Sequence, residues 1–366
     1  MSIAGFVEER ARFPVLRQFA YLNAGTFGPL ADSTLAAMAE LRAWEGEHGR
    51  TGRAYFDTML ERRDRVRALF ANEIRVSPDN VALTDSTTQG VQVVVTGLAL
   101  SERDEVVTTD AEHFGLTGPL LASGPRLRIA KVHGAGADRI FDLICREVTP
   151  RTRLIAISAI SWLDGTVFPW RELRERTNVP ILVDGAQSVG AVEVDAAAAD
   201  FYTVSGQKWL CGPDSTGALY VREPESLRPR LLAYPGAESY DIAAGTWEPK
   251  SGARRFDTTF TPASSLAGLE AALRDPPDGR FERARALAER CRSVLLGHGH
   301  DVVTEAGQAT IVSFRYPGDT AAATASLYAR GVVIRELPGT GLLRASVGWW
   351  NDENDLDRLA EGLAAI

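Results

Sequence analysis

Between about residues 77 and 260 the chain alternates short apolar, β-branched runs with longer stretches of helical periodicity, a rhythm that very few architectures accept. Asn80–Thr84, Asp104–Thr108, Arg153–Ser158 and Val179–Val183 read as strands, with helices or helix starts over Gln89–Leu98 and Trp170–Thr177 between them. Strands that are apolar throughout are covered on both faces, and helical crossovers join strands that run the same way. The pattern predicts an α/β region built on parallel strands, with ligands bound beyond their carboxyl ends. From Pro262 the rhythm breaks into Ala-rich Ser265–Leu273, a charged helix around Phe281–Leu296, strand-like Thr310–Phe314 and an amphipathic helix over Asp352–Leu363. A large domain over 21–260 and a smaller α+β domain over 261–366 are expected, with residues 1–20 forming an arm that packs with the small domain across the cleft.

Composition removes several classes of function. A formal net charge of -8 disfavours nucleic acid and anionic membranes as partners, because both require a basic face. Cys145, Cys211 and Cys291 are odd in number and match no metal-ligand spacing, so neither a disulfide framework nor a metal site is expected. The first twelve residues are charged and carry no apolar core of a signal peptide, and no apolar run reaches membrane-spanning length, so the cytoplasm is the expected compartment.

Of the 40 lysines and arginines only three are lysine: Lys131, Lys208 and Lys250. A chain that uses arginine for nearly every positive charge keeps lysine where arginine cannot serve, and condensing with an aldehyde is one such task. Lys208 follows the apolar run Ala199–Val204 and the pair Ser205-Gly206. The similar run Pro180–Val183 ends abruptly in Asp184, 24 residues earlier. A lysine after a strand is ordinarily a solvated cap and an aspartate there an ordinary turn or helix cap. Together, on neighbouring strands, they instead suit a carboxylate that keeps a pyridine nitrogen protonated and an amine that holds the same ring.

Two further motifs join them. Leu83–Gly90 follows a strand and opens a helix, and its Ser86, Thr87 and Thr88 offer hydroxyls and free N–H groups at the positive end of a helix dipole, a cup for phosphate. His113, in Asp110-Ala-Glu-His-Phe114, follows a strand and can stack on a flat ring or relay protons; His48, His133, His298 and His300 lack comparable surroundings.

These residues resemble the class V branch of fold-type I pyridoxal 5'-phosphate (PLP) enzymes, which includes cysteine desulfurases, selenocysteine lyases, cyst(e)ine C–S lyases and isopenicillin N epimerases. The resemblance runs from about Tyr21 to the C-terminus and is most specific over Val183–Gly190 and Ser205–Tyr220. It implies a mostly parallel seven-stranded sheet in the large domain. It implies that Lys208 carries the cofactor as a Schiff base, Asp184 faces the pyridine nitrogen, Gln187 bonds the phenolic oxygen and His113 stacks on the ring. Ser86, Thr87, Thr88, Ser205 and Gln207 would serve the phosphate, Arg344 the substrate carboxylate, and Asn23, Ala24 and Trp162 the substrate cleft. It also implies a homodimer in which the partner completes the phosphate site, for which Thr259 or Thr261 is nominated here.

Three departures from the family pattern narrow the expected reaction. Gln207 stands where a histidine usually precedes the lysine. Trp162 stands where desulfurases carry an asparagine, and together with Trp209–Pro213 it is similar to the cyst(e)ine C–S lyase branch. The stretch between Arg335 and Arg344 is short and holds no cysteine, whereas a desulfurase needs a mobile thiolate there to take sulfur as a persulfide. The expected activity is β-elimination from cystine or a cysteine S-conjugate without a catalytic cysteine, with aminotransferase and amino-acid epimerase as alternatives. A non-catalytic binding or sensing protein on the same fold is the reading from another class, and the joint presence of Asp184, Lys208 and Arg344 argues against it.

Overall fold

The computed structural model describes residues 3–258 and 260–366, so Thr259 lies outside the described residues. Its centre is a seven-stranded sheet whose strands run in space in the order Val81–Thr84, Gly217–Val221, Phe201–Ser205, Ile181–Asp184, Thr152–Ser158, Glu105–Thr109 and Arg126–Ala130. The last five pair in parallel, and only Gly217–Val221 runs against its neighbours. The parallel α/β expectation holds, with this one reversed strand making the sheet mixed. Val106, Leu154, Leu182 and Leu219 face one apolar layer; Val107, Ile155, Val183 and Ala218 face the other. Period-two alternation is therefore hidden in the sequence, because both faces are covered.

A second, four-stranded sheet orders Asp301–Val302, Ile311–Arg315, Leu342–Ser346 and Arg335–Leu337, all antiparallel. The helices Arg280–Gly297, Thr320–Ala329 and Glu353–Ala364 share a core with it through Leu295, Leu327 and Leu359. The helix Ala263–Leu273 instead sends Leu266, Leu269 and Leu273 into the core of the large sheet. The N-terminal segment is tied to the C-terminal part of the chain. Arg10 donates to both oxygens of Asp355, Phe13 packs edge-on to Trp349 at 5.6 Å between ring centroids, and Ala20–Tyr21 pairs in parallel with Val332–Val333. No helix among the described residues is long and apolar enough to cross a membrane.

Candidate active site

Asp184 is the last residue of its strand, with Ser158 on one side and Thr203 on the other as register partners. Its Oδ1 accepts from the Ala186 N–H at 2.9 Å and from Thr203 Oγ1 at 3.3 Å, and its side chain is buried. The neighbouring strand ends at Ser205, and the turn through Gly206 and Gln207 presents Lys208 to the same opening. A single cavity of about 190 Å³ is lined by Ser86, Thr87, Thr88, His113, Trp162, Asp184, Gln187, Ser205, Gln207 and Lys208, so residues drawn from five loops converge where strands end. Burial pushes the Lys208 amine down to about 8, against the opposing pull of Asp184, and its nitrogen makes no hydrogen bond or ion pair among the described residues. Roughly a tenth of this amine is neutral, and therefore nucleophilic, at pH 7, far more than of an ordinary lysine.

The phosphate-side residues behave unequally. Ser86 caps the helix Thr87–Gly97 by accepting from the Gln89 N–H, and its own hydroxyl donates to Asp85 at 2.7 Å. Its hydroxyl is thereby engaged, whereas the hydroxyls of Thr87 and Thr88 make no hydrogen bond among the described residues. Their N–H groups precede the helix's own hydrogen-bond ladder and point at the cavity end of the dipole. Among the described residues, no cation lines the cup apart from Lys208. Gln207 brings a side-chain Oε1 that is buried without a partner. Thr261 is buried at 4% exposure and does not line this chain's cavity.

His113 caps the helix Phe114–Ala122 through Nδ1, which accepts from the Gly115 N–H at 3.0 Å. An accepting Nδ1 places the ring proton on Nε2. Partial enclosure first, then the Lys208 charge, lowers its pKa further, so the ring is neutral. Trp162 meets it edge-on at 5.1 Å, and the Trp162 indole N–H is buried without a partner.

Gln187 is held by a device that sequence reasoning missed. The Trp209 indole N–H, which can only donate, donates to Gln187 Oε1 at 2.9 Å, so the amide nitrogen must face the other way, where it donates to Gly25 O at 2.9 Å and keeps one hydrogen in hand. At Gly25 a Cβ would stand 2.8 Å from Ser346 Oγ and 3.0 Å from Gln187 Oε1, so any larger residue would displace the side chains that line the site. Gly28 lies closer still: its N–H donates to Gln207 O, and a Cβ would come within 2.0 Å of Lys208 O. The segment carrying Asn23 and Ala24 thus seats directly on the lysine turn, with Asn23 bridged to Ser346.

Arg344 is 2% exposed and donates only to Trp162 O at 2.9 Å and Thr26 Oγ1 at 3.1 Å. Its Nε has no partner, and no carboxylate among the described residues pairs with it. Burial, then the like charge of Arg335, its register partner across the hairpin, push its guanidinium down to about 10. An uncompensated buried cation is costly and calls for an anion that arrives with a ligand.

These residues fit PLP and an amino acid. An unpaired amine and a buried carboxylate share one cavity, neutral donors ring a helix N-terminus, and the orphaned Trp162 Nε1 and Arg344 Nε are donors that await partners. The comparison with known proteins agrees. Residues 21–359 match the aminotransferase class-V family, and the chain belongs to it. It is 25% identical over its whole length to an isopenicillin N epimerase of Streptomyces clavuligerus, covering 99% of that protein. It is 28% identical to a probable cysteine desulfurase of Methanothermobacter thermautotrophicus, over 72% of this chain and 68% of that one. Among solved structures, a C-DES mutant with glycine covalently linked to its PLP cofactor superposes with a TM-score of 0.90 at 26% identity, over 97% of this chain and 98% of that one. The cystine C–S lyase C-DES in complex with its product cysteine persulfide gives a TM-score of 0.88 at 26% identity, over 96% and 99%. The fold is that of the fold-type I PLP enzymes, PLP is the cofactor, and the chain is a PLP-dependent enzyme of this class.

Proposed function

We propose that the chain is a C–S β-lyase acting on cystine or a related cysteine S-conjugate. The observation that carries this reading is that the site joins an amine, a buried carboxylate and a buried arginine with no carboxylate partner, and that no thiol lines it among the described residues. Cys211 lies three residues past Lys208 but is buried, its Sγ turned to the Trp209 carbonyl, and burial drives its pKa far up. Burial likewise pushes Cys291 up to about 12 and raises Cys145. None of the three is thiolate at neutral pH, so none accepts sulfur as a persulfide. The loop that would carry such a thiol is a tight turn: Leu337 pairs with Leu342, and Gly339 and Gly341 take positive φ of 77° and 70° between them. The C-DES neighbour, whose product is cysteine persulfide, supports the same reading.

When bound, PLP supplies an electron sink for a carbanion at the α-carbon of an amino acid. Lys208 would hold it through the side-chain amine, and Asp184, Gln187 and His113 would face its ring nitrogen, phenolic oxygen and flat face. Thr87, Thr88, Ser205 and Gln207 would ring the phosphate with neutral donors. Arg344 would take the substrate carboxylate in its fork, which fixes the α-C–H beside Lys208. The Lys208 Nζ, neutral once freed, would accept that proton and later return one. Trp162, lying between Arg344 and His113, would border the side-chain pocket. We further propose a homodimer, supported by the exposed aromatic cluster of Phe56, Tyr234 and Phe260 beside Thr261, with that segment serving the partner's phosphate site.

Purified protein incubated with cystine and PLP tests the reading. Formation of pyruvate, ammonia and a persulfide in equal amounts is expected, with Lys208→Ala inactive. Amino-group transfer to a keto acid, or inversion of the α-carbon without pyruvate, would replace it with the transaminase or the epimerase. The full-length match to an isopenicillin N epimerase favours the latter as second reading.

A further inference from the structure

Directly before His113, Glu112 points inward and joins strand ends that flank the cavity. Its Oε1 accepts from Thr109 Oγ1 at 2.8 Å, at the end of one strand, and its Oε2 accepts from the Ser158 N–H at 3.0 Å and from the Ser158 hydroxyl, at the end of the next. Ser158 is in turn the register partner of Asp184. Three donors thus converge on one carboxyl and favour its charged form against the pull of burial. Nothing in the activity proposed above uses this group.

We propose that Glu112 is a positioning residue: it ties the loop that aims His113 to the strand beside Asp184, and the negative charge it places behind Asp184 raises the proton affinity of the cofactor's chromophore. The inference rests on the PLP reading and deepens it. Burial works against the Glu112 charge and the donors from Ser158 and Thr109 work for it, while Asp184 opposes it, with the outcome that its carboxyl is pushed up to about 7. Among charged groups, Asp184 on the adjoining strand acts on Glu112 directly. Lys208, Arg344 and Arg335 act on His113 from across the cavity, as Asp184 does from beneath it. Above about pH 7, where Glu112 is mostly ionised, this second carboxyl behind Asp184 adds to the field that holds protons on the cofactor. Its loss must therefore make the chromophore easier to deprotonate.

The test is a pH titration of the visible absorbance band of the PLP-loaded protein. Glu112→Gln is expected to keep the band and lower its midpoint by ~0.5 pH unit or more, and Glu112→Asp to restore part of the shift. An amide cannot accept from all three donors, so Glu112→Gln risks misfolding. Ser158→Ala removes a single hydroxyl, weakens the charged form of Glu112, and is expected to lower the midpoint by a smaller amount. A merely structural brace would alter thermal stability or PLP affinity and leave the midpoint in place. An unchanged or raised midpoint in a folded, yellow variant overturns the proposal. Wild-type protein that gains no visible band with PLP overturns the cofactor reading instead, so the two failures are distinct.

Discussion

Arg67 and Arg344 are each 2% exposed, yet their surroundings are opposite. Arg67 donates to both oxygens of Asp257, at 3.2 and 2.8 Å, and to Val81 O at 2.6 Å, and Arg63 adds a further bond to the same carboxylate. Asp257 also accepts from the Leu83 N–H, so the cluster pins the start of the sheet to the long helix Arg53–Glu73. Burial disfavours every charge in it, but mutual attraction wins, holding the Asp257 carboxyl low and the Arg67 guanidinium high. Arg344 has the same burial and no counter-ion among the described residues, and its pKa moves the other way. A buried arginine that brings its own carboxylate is architecture, whereas one left without a carboxylate is the candidate seat of a ligand's carboxylate.

The sharpest way to break this contrast is Arg344→Met. Removing a buried, ligand-facing charge should lower kcat/KM by ~10³-fold, since losing one partner of a desolvated pair costs several kcal/mol. Stability should hold or rise, because the variant no longer buries an unpaired cation. Steady-state kinetics beside a thermal melt read both effects, and a melt several degrees lower would place Arg344 with Arg67 as a structural group. The mirror experiment is Asp257→Asn, which removes the buried carboxylate that Arg63 and Arg67 share. It should destabilise the fold by ~3–5 kcal/mol in urea titrations, while the fraction that stays folded binds PLP normally. Smaller again is Arg344→Lys, which keeps the charge and loses the fork. A ~10 to 100-fold rise in KM with a modest change in kcat is expected, and an equal fall in both constants would mean that the fork acts only in the transition state.

The same contrast explains what was legible in the sequence. Asp184 and Lys208 stood out because an apolar strand that ends in a charge is anomalous locally, and both do line one cavity. Arg344 came only from the family resemblance, because nothing near it in sequence says that it is buried or that its register partner is another arginine. Asp257 gave no signal at all, since its partners lie about 190 residues away on a helix. Glu112 was visible as part of the His113 motif but not as a brace, because its donors come from Thr109 and, 46 residues on, Ser158. Trp209 looked like a marker of one branch of the family, and its work on Gln187 appears only when the amide's two ends are traced. The strand Arg126–Ala130 was not singled out because its run Arg-Leu-Arg-Ile-Ala alternates with arginine, as befits the sheet edge it forms. Chemistry carried by strand ends is readable one residue at a time; chemistry carried by pairing across the fold is not.

The phosphate cup supplies a third case against which the two arginines can be set, and it should show the smallest effect. It would hold an anion with no dedicated cation among the described residues: Thr87 and Thr88 hydroxyls, helix N–H groups and the Gln207 amide would share the work, and Asp85 close by bonds to Ser86 and Gln89. Where donors are many and neutral, losing one leaves no buried charge exposed, so Thr88→Ala forfeits a single hydrogen bond worth about 1 kcal/mol. PLP affinity, measured by equilibrium titration of the visible band, should weaken roughly five-fold, with kcat at saturating cofactor nearly unchanged. A loss as large as that of Arg344→Met would mean that the cup, like the arginine, concentrates its binding in one group, and the distinction between spread and focused anion binding in this molecule would fall.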